Sequence, residues 1–374
     1  MTQQETLYAI ALQQLQRIKI QDQNHLLETL GSAQAVYEHR SHLREVLPEA
    51  TEAMERELQM MDLHLKRAEE ELLFMQKGGV RALGRLDAEY PSRLRECSDS
   101  PLILYYCGHG ELNVQHVVSI VGTRKITPYG KDLCATFVKD LARLCPGTLV
   151  VSGLAYGVDI HSHRAALENG LPTVGVLAHG LDQIYPTMHR DTARQMVATG
   201  GLLTEYISRT PIDKRNFVQR NRIVAGMADA TIVVESAAKG GSLITAEMAS
   251  DYGREVMAFP GRTTDPYSAG CNMLIRTQRA ALIEDAEQFV TLMGWEHEGQ
   301  RQQMLTEGVQ QELFPSLSPE ETTVLNALRP TDGTPVNALA IQTGIAISTL
   351  SSLLFSLEMK GLVKRAGGNN YRRA

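Results

Sequence analysis

Short apolar, β-branched runs recur about every 25–30 residues with helical stretches between them. This predicts an α/β fold: an extended Rossmann-like, doubly wound and mainly parallel sheet. A wholly helical stretch before these runs, and a helix, helix, helix, ribbon order after them, add a small helical N-terminal domain and a C-terminal winged helix. The expected boundaries are 1–78 for the helical domain, 79–297 for the sheet domain, 298–316 for a linker and 317–374 for the winged helix.

In the first segment Leu7, Ile10, Ala11, Leu15 and Ile18 recur at three- and four-residue spacing. Met54, Leu58, Met61, Leu65, Ala68 and Leu72 do so again, which predicts one amphipathic helix of five to six turns, stopped at Gly78 and Gly79. The sheet runs then fall at 117–121, 149–151, 173–177, 202–204, 231–234, 256–259 and 281–283. Strands buried on both faces read as continuous apolar runs, and the spacing leaves room for a crossover helix. From Gly299 to Leu317 the chain turns polar, with Gln302, Gln303, Gln310, Gln311 and Pro315, as a linker does. Helical patterns follow at 320–328, 336–343 and 348–360, then a ribbon at 361–365 and 367–373.

The chain has 374 residues, with 37 Lys and Arg against 43 Asp and Glu and a formal charge of −6. That length suits two or three domains. No apolar run reaches the ~18–20 residues of a bilayer span, and the start lacks a basic secretory n-region, so a cytoplasmic protein with no membrane partner is expected. Five scattered cysteines without a C-x-x-C pair speak against a disulfide framework or a zinc ribbon. The acidic balance by itself argues against a nucleic-acid partner. Residues 1–78, however, hold 13 acidic and 8 basic groups, a net of −5, so most of the acidity lies in the helical segment.

In a doubly wound sheet, ligands bind at the carboxyl ends of the strands. The first such turn, SIVGTRKITP at 119–128, offers Gly122 for a tight bend, Thr127 as helix cap and Pro128 at the first helical position. It reads equally as a phosphate site of backbone amides plus Arg124 or as an ordinary strand–helix turn. KRNFVQRNR at 214–222 sets four cations beside Phe217, the pairing of charge and flat face that an unstacked nucleic acid strand requires. The alternative is a solvated basic helix with Phe217 in the core. A third segment, KGGSLITAE at 239–247, joins Lys239, Gly241 and Ser242 in an anion cradle that is not a Walker A loop. There is no G-x-G-x-x-G, which disfavours a dinucleotide. Asp159, His161 and His163 sit at i, i+2 and i+4, off any common helix face, so capping or buried polar roles suit them better than a metal. No cofactor, metal or catalytic nucleophile is expected.

In order, the segments SIVGTRKITPYG, SGLAYGVDIHSHRAAL, VLAHGLDQIYP, GGLLTEY, FVQRNRIVAGMADATIVVESAAKGGSLITAEMASDYGREVMAFPG and SAGCNMLIRTQRAALIED together resemble the bacterial DNA-processing protein A family across the middle segment. The flanks fit as well. The resemblance implies a non-enzymatic protein that protects single-stranded DNA in a basic crevice and loads the recombinase RecA onto it during natural transformation, working as a homodimer. It places DNA contacts at Gly122, Arg124, Lys214, Phe217, Arg220, Asn221, Lys239 and Ser242, and the helix-start amides at Gly241 and Ser242 join them. This chain departs from the family pattern at Val218 for Pro, Gly240 for Ser, His189 for Asn and Ser162 for Ala, none of which removes a cation or the aromatic. Arg17–Gln21 lacks the G-x-G of a helix-hairpin-helix, so the N-terminal domain is expected to serve structure or protein contact.

No base-edge reader is evident, so binding largely independent of sequence is expected. Apolar residues around Met257, Phe259, Met273 and Ile275 are candidates for a dimer surface or for core. The rival is an enzyme, a Rossmann nucleotide-processing hydrolase resembling nucleoside-monophosphate phosphoribohydrolases, whose P-G-G-x-G-T-x-x-E motif is only half present at 240–247. A third reading makes the winged helix the DNA reader. Its 6 basic and 4 acidic residues, a net of +2, support that weakly.

Overall fold

The computed structural model describes residues 1–295, 317–328, 333–360, 362–365 and 370–373. The expected linker at 298–316 lies outside the described residues, as do 361 and 367–369 of the expected ribbon. The chain divides into two compact units, Met1–Gly299 and Gln300–Ala374.

The first unit opens with α1 (Gln3–Gln13), α2 (Ile20–Leu30), α3 (Ala33–Glu38), α4 (Leu43–Val46), α5 (Glu52–Gln59) and α6 (Met61–Gly78). Thr2, Ser32 and Thr51 cap α1, α3 and α5 with side-chain oxygens. Gly79 follows α6 at φ 62°, in the left-handed region that glycine adopts freely. The single helix expected over 54–72 is in fact two. At Met60 the ladder tightens to three-residue bonds, Met60 N–H to Glu57 O and Leu63 N–H to Met60 O, both 3.0 Å. Leu58 and Met61 are fully buried on either side of the break, so the apolar spacing runs straight through it.

The sheet strands are β1 (Arg81–Gly84), β2 (Ile103–Gly108), β3 (Val117–Val121), β4 (Leu149–Ser152), β5 (Thr173–Val176), β6 (Gly201–Thr204), β7 (Ala230–Val233), β8 (Glu255–Ala258) and β9 (Ala281–Leu282). Between and after them come α7 (Ser92–Arg95), α8 (Pro128–Leu144), α9 (Val158–Glu168), α10 (Arg190–Thr199), α11 (Lys214–Gly226), α12 (Gly241–Asp251), α13 (Ala269–Arg276) and α14 (Ala286–Met293). The nine strands lie in the order β1-β2-β6-β5-β4-β3-β7-β8-β9. From β6 to β9 all pairs are parallel, while β1 pairs β2 and β2 pairs β6 antiparallel. The seven runs named from sequence fall on β3 to β9; β1 and β2, which have no crossover helix between them, were missed.

Alternation along β3 divides the core. Val117 and Val121 join Ile223 and Val224 of α11 and Ala246 and Ala249 of α12 on one face. Val118 and Ile120 join Phe137 of α8, Ala166 of α9 and Phe289 of α14 on the other. Met257 and Phe259 lie in this second cluster, 1% and 2% exposed, so they are core and cannot form the dimer surface considered for them. Phe137 meets Phe259 and Phe289 edge to face at 5.7 and 5.5 Å. No helix among the described residues is long and apolar enough to cross a membrane.

A third cluster joins α1, α2, α3, α5 and α6 to Ile103 and Tyr105 of β2. A polar tie accompanies it: the buried Glu71 carboxylate accepts from Ser208 N at 3.0 Å and Ser208 Oγ at 2.5 Å, and pairs with Arg67 at 2.9 Å. The helical segment thereby holds the loop that leads into α11.

In the second unit α15 (Pro319–Ala327), α16 (Val336–Thr343) and α17 (Ile347–Met359) surround Val324, Leu339, Leu350 and Leu354. The strands β10 (Thr334–Pro335), β11 (Val363–Arg365) and β12 (Asn370–Arg373) form an antiparallel sheet in the order β10-β12-β11. Ser318 and Glu321 make a capping box at the start of α15. This is the winged-helix arrangement, with β10 added to the expected ribbon.

One buried ion pair sets a stability test. Arg222 pairs with Glu205, their side chains 6% and 8% exposed, and also donates to Asp99 O at 2.7 Å. Arg222→Met strands the carboxylate in the core, and a loss of about 3–5 kcal/mol in urea unfolding is expected.

Candidate functional site

After β3 the chain builds β4, β5 and β6 on one side; it then returns to place β7 against the other side of β3, so the connections from these two parallel neighbours diverge. The loops at their carboxyl ends part and leave a crevice, as expected of a topological switch point. Its volume is about 260 Å³, and it is lined by the loops after β3, β4 and β7 and by α11 and α12.

The wall after β3 is held tightly. A Cβ at Gly122 would lie 2.4 Å from Val158 Cγ2 and 2.8 Å from Glu235 O, so only glycine passes here. Glu235 O accepts from Thr123 N at 2.7 Å. The buried Glu235 carboxylate accepts from Thr127 N at 2.9 Å and Thr127 Oγ1 at 2.5 Å, and that hydroxyl in turn caps α8 by accepting from Gly130 N at 3.2 Å. The expected Thr127 cap and Pro128 start are therefore in place. Lys125 N donates to Thr123 Oγ1 at 3.1 Å. The amides of Thr123, Lys125, Thr127 and Gly130 are thus already committed, and Arg124 is left exposed at the rim.

The opposite wall is α11, whose first turn is capped by Asp213 accepting from Arg215 N at 2.7 Å. Lys214 and Arg215 are exposed, and Phe217 is half-buried. The Arg124 guanidinium carbon sits 5.3 Å from the Phe217 ring centroid, a cation–π geometry, and the Tyr185 ring meets that ring edge to face at 5.9 Å. Arg220, expected as an open cation, is only 3% exposed. Its Nη1 donates to Gly153 O at 2.7 Å and to Val176 O, and its Nε donates to Asn221 Oδ1 at 3.3 Å. Arg222 lies on the far side of α11 in its pair with Glu205. The run 214–222 is therefore not one basic patch, because two residues along a helix turn through about 200°.

Asp159, near the start of α9, lines the floor beside Arg220. Its Oδ2 accepts from Ala155 N at 3.3 Å. Burial pushes its carboxyl above the usual range, and the Arg220 charge opposes that shift. The third wall, α12, begins after Gly240, so no side chain caps its first turn, where Leu243 N donates back to Gly240 O at 3.2 Å. Ser242 is buried and donates to Ser236 Oγ at 2.9 Å, Gly241 has open space at its Cβ, and Lys239 is exposed.

Of the nine expected residues, Gly122, Arg124, Phe217, Arg220, Asn221, Gly241 and Ser242 line this one cavity, while Lys214 and Lys239 are exposed residues outside its lining. Asp159 and Tyr185 were not singled out for the site; Asp159 sat within the motif weighed for a metal. Among the described residues no three His, Cys, Asp or Glu side chains gather as a metal site. His163 is fully buried, with Nδ1 2.7 Å from Thr173 Oγ1, and burial pushes it down to about 3.

Comparison with known proteins gives a consistent picture. Residues 81–294 match the family described as DNA recombination-mediator protein A, and residues 311–369 match the DprA winged helix domain. A putative DNA processing protein DprA of Mycobacterium tuberculosis is 33% identical over 317 residues, covering 81% of this chain and 80% of that protein. The solved structure of DNA processing protein A from Streptococcus pneumoniae superposes with a TM-score of 0.65 at 29% identity, covering 76% of this chain and 97% of that one. A structure of DNA processing protein A from Helicobacter pylori, concerned with that protein's single-stranded DNA binding mode, matches with a TM-score of 0.52 at 30% identity, over 57% of this chain and 95% of that one.

The buried His163 gives a pH test. Its folded value of about 3 lies below the ordinary 6.5, so between those limits the unfolded chain binds a proton that the folded chain refuses. Its contribution is complete above pH 6.5 and falls as the pH drops through this window. In His163→Gln the fall of unfolding free energy between pH 6.5 and 4 should be shallower by up to about 1.4 kcal/mol per pH unit, read from urea titrations.

Proposed function

Because the chain belongs to the DNA recombination-mediator protein A family, we propose that it binds single-stranded DNA in the crevice at the β3/β7 switch point and serves DNA processing in transformation and recombination. The observation that carries this is Arg124 poised over the Phe217 ring at the crevice mouth, with Lys214 exposed in the first turn of α11 and Lys239 exposed just before α12. None of these three cations is in an ion pair among the described residues. Unpaired cations neutralise phosphates and release their counterions, and an aromatic face takes an unstacked base for about 1–3 kcal/mol. The single-strand binding described for the Helicobacter pylori protein supports the same ligand here.

Within this reading the protein works in the cytoplasm, as a homodimer, and hands its strand to the recombinase RecA. Faster RecA filament formation on strands precoated with a single-strand-binding protein checks the hand-over, and sedimentation checks the dimer. Of the dimer candidates, Met273 and Ile275 on α13 remain, both half-buried.

One observation favours the hydrolase alternative: Asp159 is a cavity-lining carboxyl raised by burial, the condition of a general acid. Release of free base from nucleoside monophosphates would select that reading.

Each phosphate contact should contribute about −0.7 to the slope of log affinity against log salt. Arg124→Ala should flatten that slope by about 0.7, whereas Phe217→Ala should weaken binding about 5- to 150-fold with the slope unchanged. Equal affinity for duplex and single strand in a gel-shift titration sinks the proposal.

A further inference from the structure

One face of α6 is left uncovered among the described residues. The helix packs inward through Met61, Ala68 and Met75, which recur every seven residues and are buried. Lys66 and Glu70 each stand two residues from Ala68, about 200° around the helix, and so lie on its outer side. Leu63 and Leu73 continue that outer stripe, 69% and 56% exposed. Lys66 is exposed and enters no ion pair among the described residues, and neither does the exposed Glu69. Glu70 spends Oε2 on Arg209 at 3.0 Å and keeps Oε1 free among the described residues.

Single exposed leucines are ordinary on a protein surface. What marks this stripe is its order. The steps from Leu63 to Lys66, Lys66 to Glu70 and Glu70 to Leu73 are three, four and three residues, the a and d spacing of a heptad, and they read the same from either end. Reversal exchanges the two charges. We infer that α6 pairs antiparallel with α6 of a second copy of this chain, about a two-fold axis level with Ala68. Leu63 then packs on the partner's Leu73 and Lys66 meets the partner's Glu70, and the symmetry makes each contact twice. Glu69, on the flank of this seam, also comes within reach of the partner's Lys66. In each copy Lys66 and Arg209 balance Glu69 and Glu70. A parallel pair would set Lys66 against Lys66 and Glu70 against Glu70, which like-charge repulsion opposes. Two leucines from each helix make a small seam, so the contact is weak in free solution. It adds to the homodimer proposed above and does not rest on it: two different two-fold contacts on one chain link dimers into larger assemblies.

Two variants of the full chain test the register, Lys66→Cys in one preparation and Glu70→Cys in another. In a mixed pair the new thiols face each other, while the leucines and the second Lys66–Glu70 contact stay in place. In either variant alone the new thiols' Cα atoms lie about 9 Å apart, beyond the roughly 7 Å that a disulfide spans. Mixed at about 100 µM and mildly oxidised, the variants should form a disulfide-linked dimer at least about tenfold faster than either alone. The unaltered chain, whose five cysteines are buried or half-buried, gives the background. Equal rates, or no cross-link in the mixture, overturn the inference. A charge exchange then checks the pairing by sedimentation at the same concentration. Lys66→Glu and Glu70→Lys should each lower the mass, and the two together should recover it; a double variant no heavier than the single ones overturns the inference too. Loss of the homodimer by itself leaves the cross-link in place, so the two readings fail separately.

Discussion

The crevice depends on how closely the chain leaving β3 passes the chain leaving β7. Gly122 has no room for a Cβ between Val158 and Glu235. Glu235 then uses its backbone oxygen on Thr123 and its carboxylate on Thr127, which fixes both ends of the 123–127 loop and the start of α8. Arg124 projects from the middle of that clamped loop. A loop fixed before a ligand arrives spends little ordering entropy on binding, so each rim contact contributes more of its gross strength.

The sequence shows the parallel half of the sheet clearly, because β3 to β8 are buried on both faces and carry unbroken apolar runs. It hides β1 and β2, which join the sheet antiparallel beyond β6 and leave no β–α–β spacing to count. It also hides the break at Met60, since Leu58 and Met61 stay in register across it. At the site, residue types and order led to the right loops, and seven of the nine expected residues line one cavity. What they could not give is exposure. Arg220 and Arg222 read as members of one cationic run, yet each is turned inward, one to backbone carbonyls and the other to Glu205. Asp159 is legible in the sequence only as part of a motif weighed for a metal, because Arg220, which lies with it beside Gly153 in the crevice, comes from a distant helix.

Charge is therefore arranged by depth more than by amount. Of the four cations in 214–222, Lys214 and Arg215 face solvent, while Arg220 and Arg222 are internal and set against carboxylates. A chain with a net charge of −6 can present a cationic rim because many of its acids lie on the helical segment, and because Asp159 in the cavity lining and Glu235 behind the 123–127 loop are buried. Buried, hydrogen-bonded carboxylates shape the loops without projecting a repulsive field to an approaching polyanion.

The tie between α6 and the loop before α11 has a dynamic consequence. Ser208 offers both its amide and its hydroxyl to Glu71, a carboxylate that is itself 1% exposed and held by Arg67. The 205–213 segment has no regular structure of its own, and such segments commonly open alone. Here opening would strand a charge in the core, so the loop fluctuates together with α6. The acidic helical segment, far from the bases in sequence, thus sets how often the start of α11, and with it Lys214 and Phe217, leaves its place.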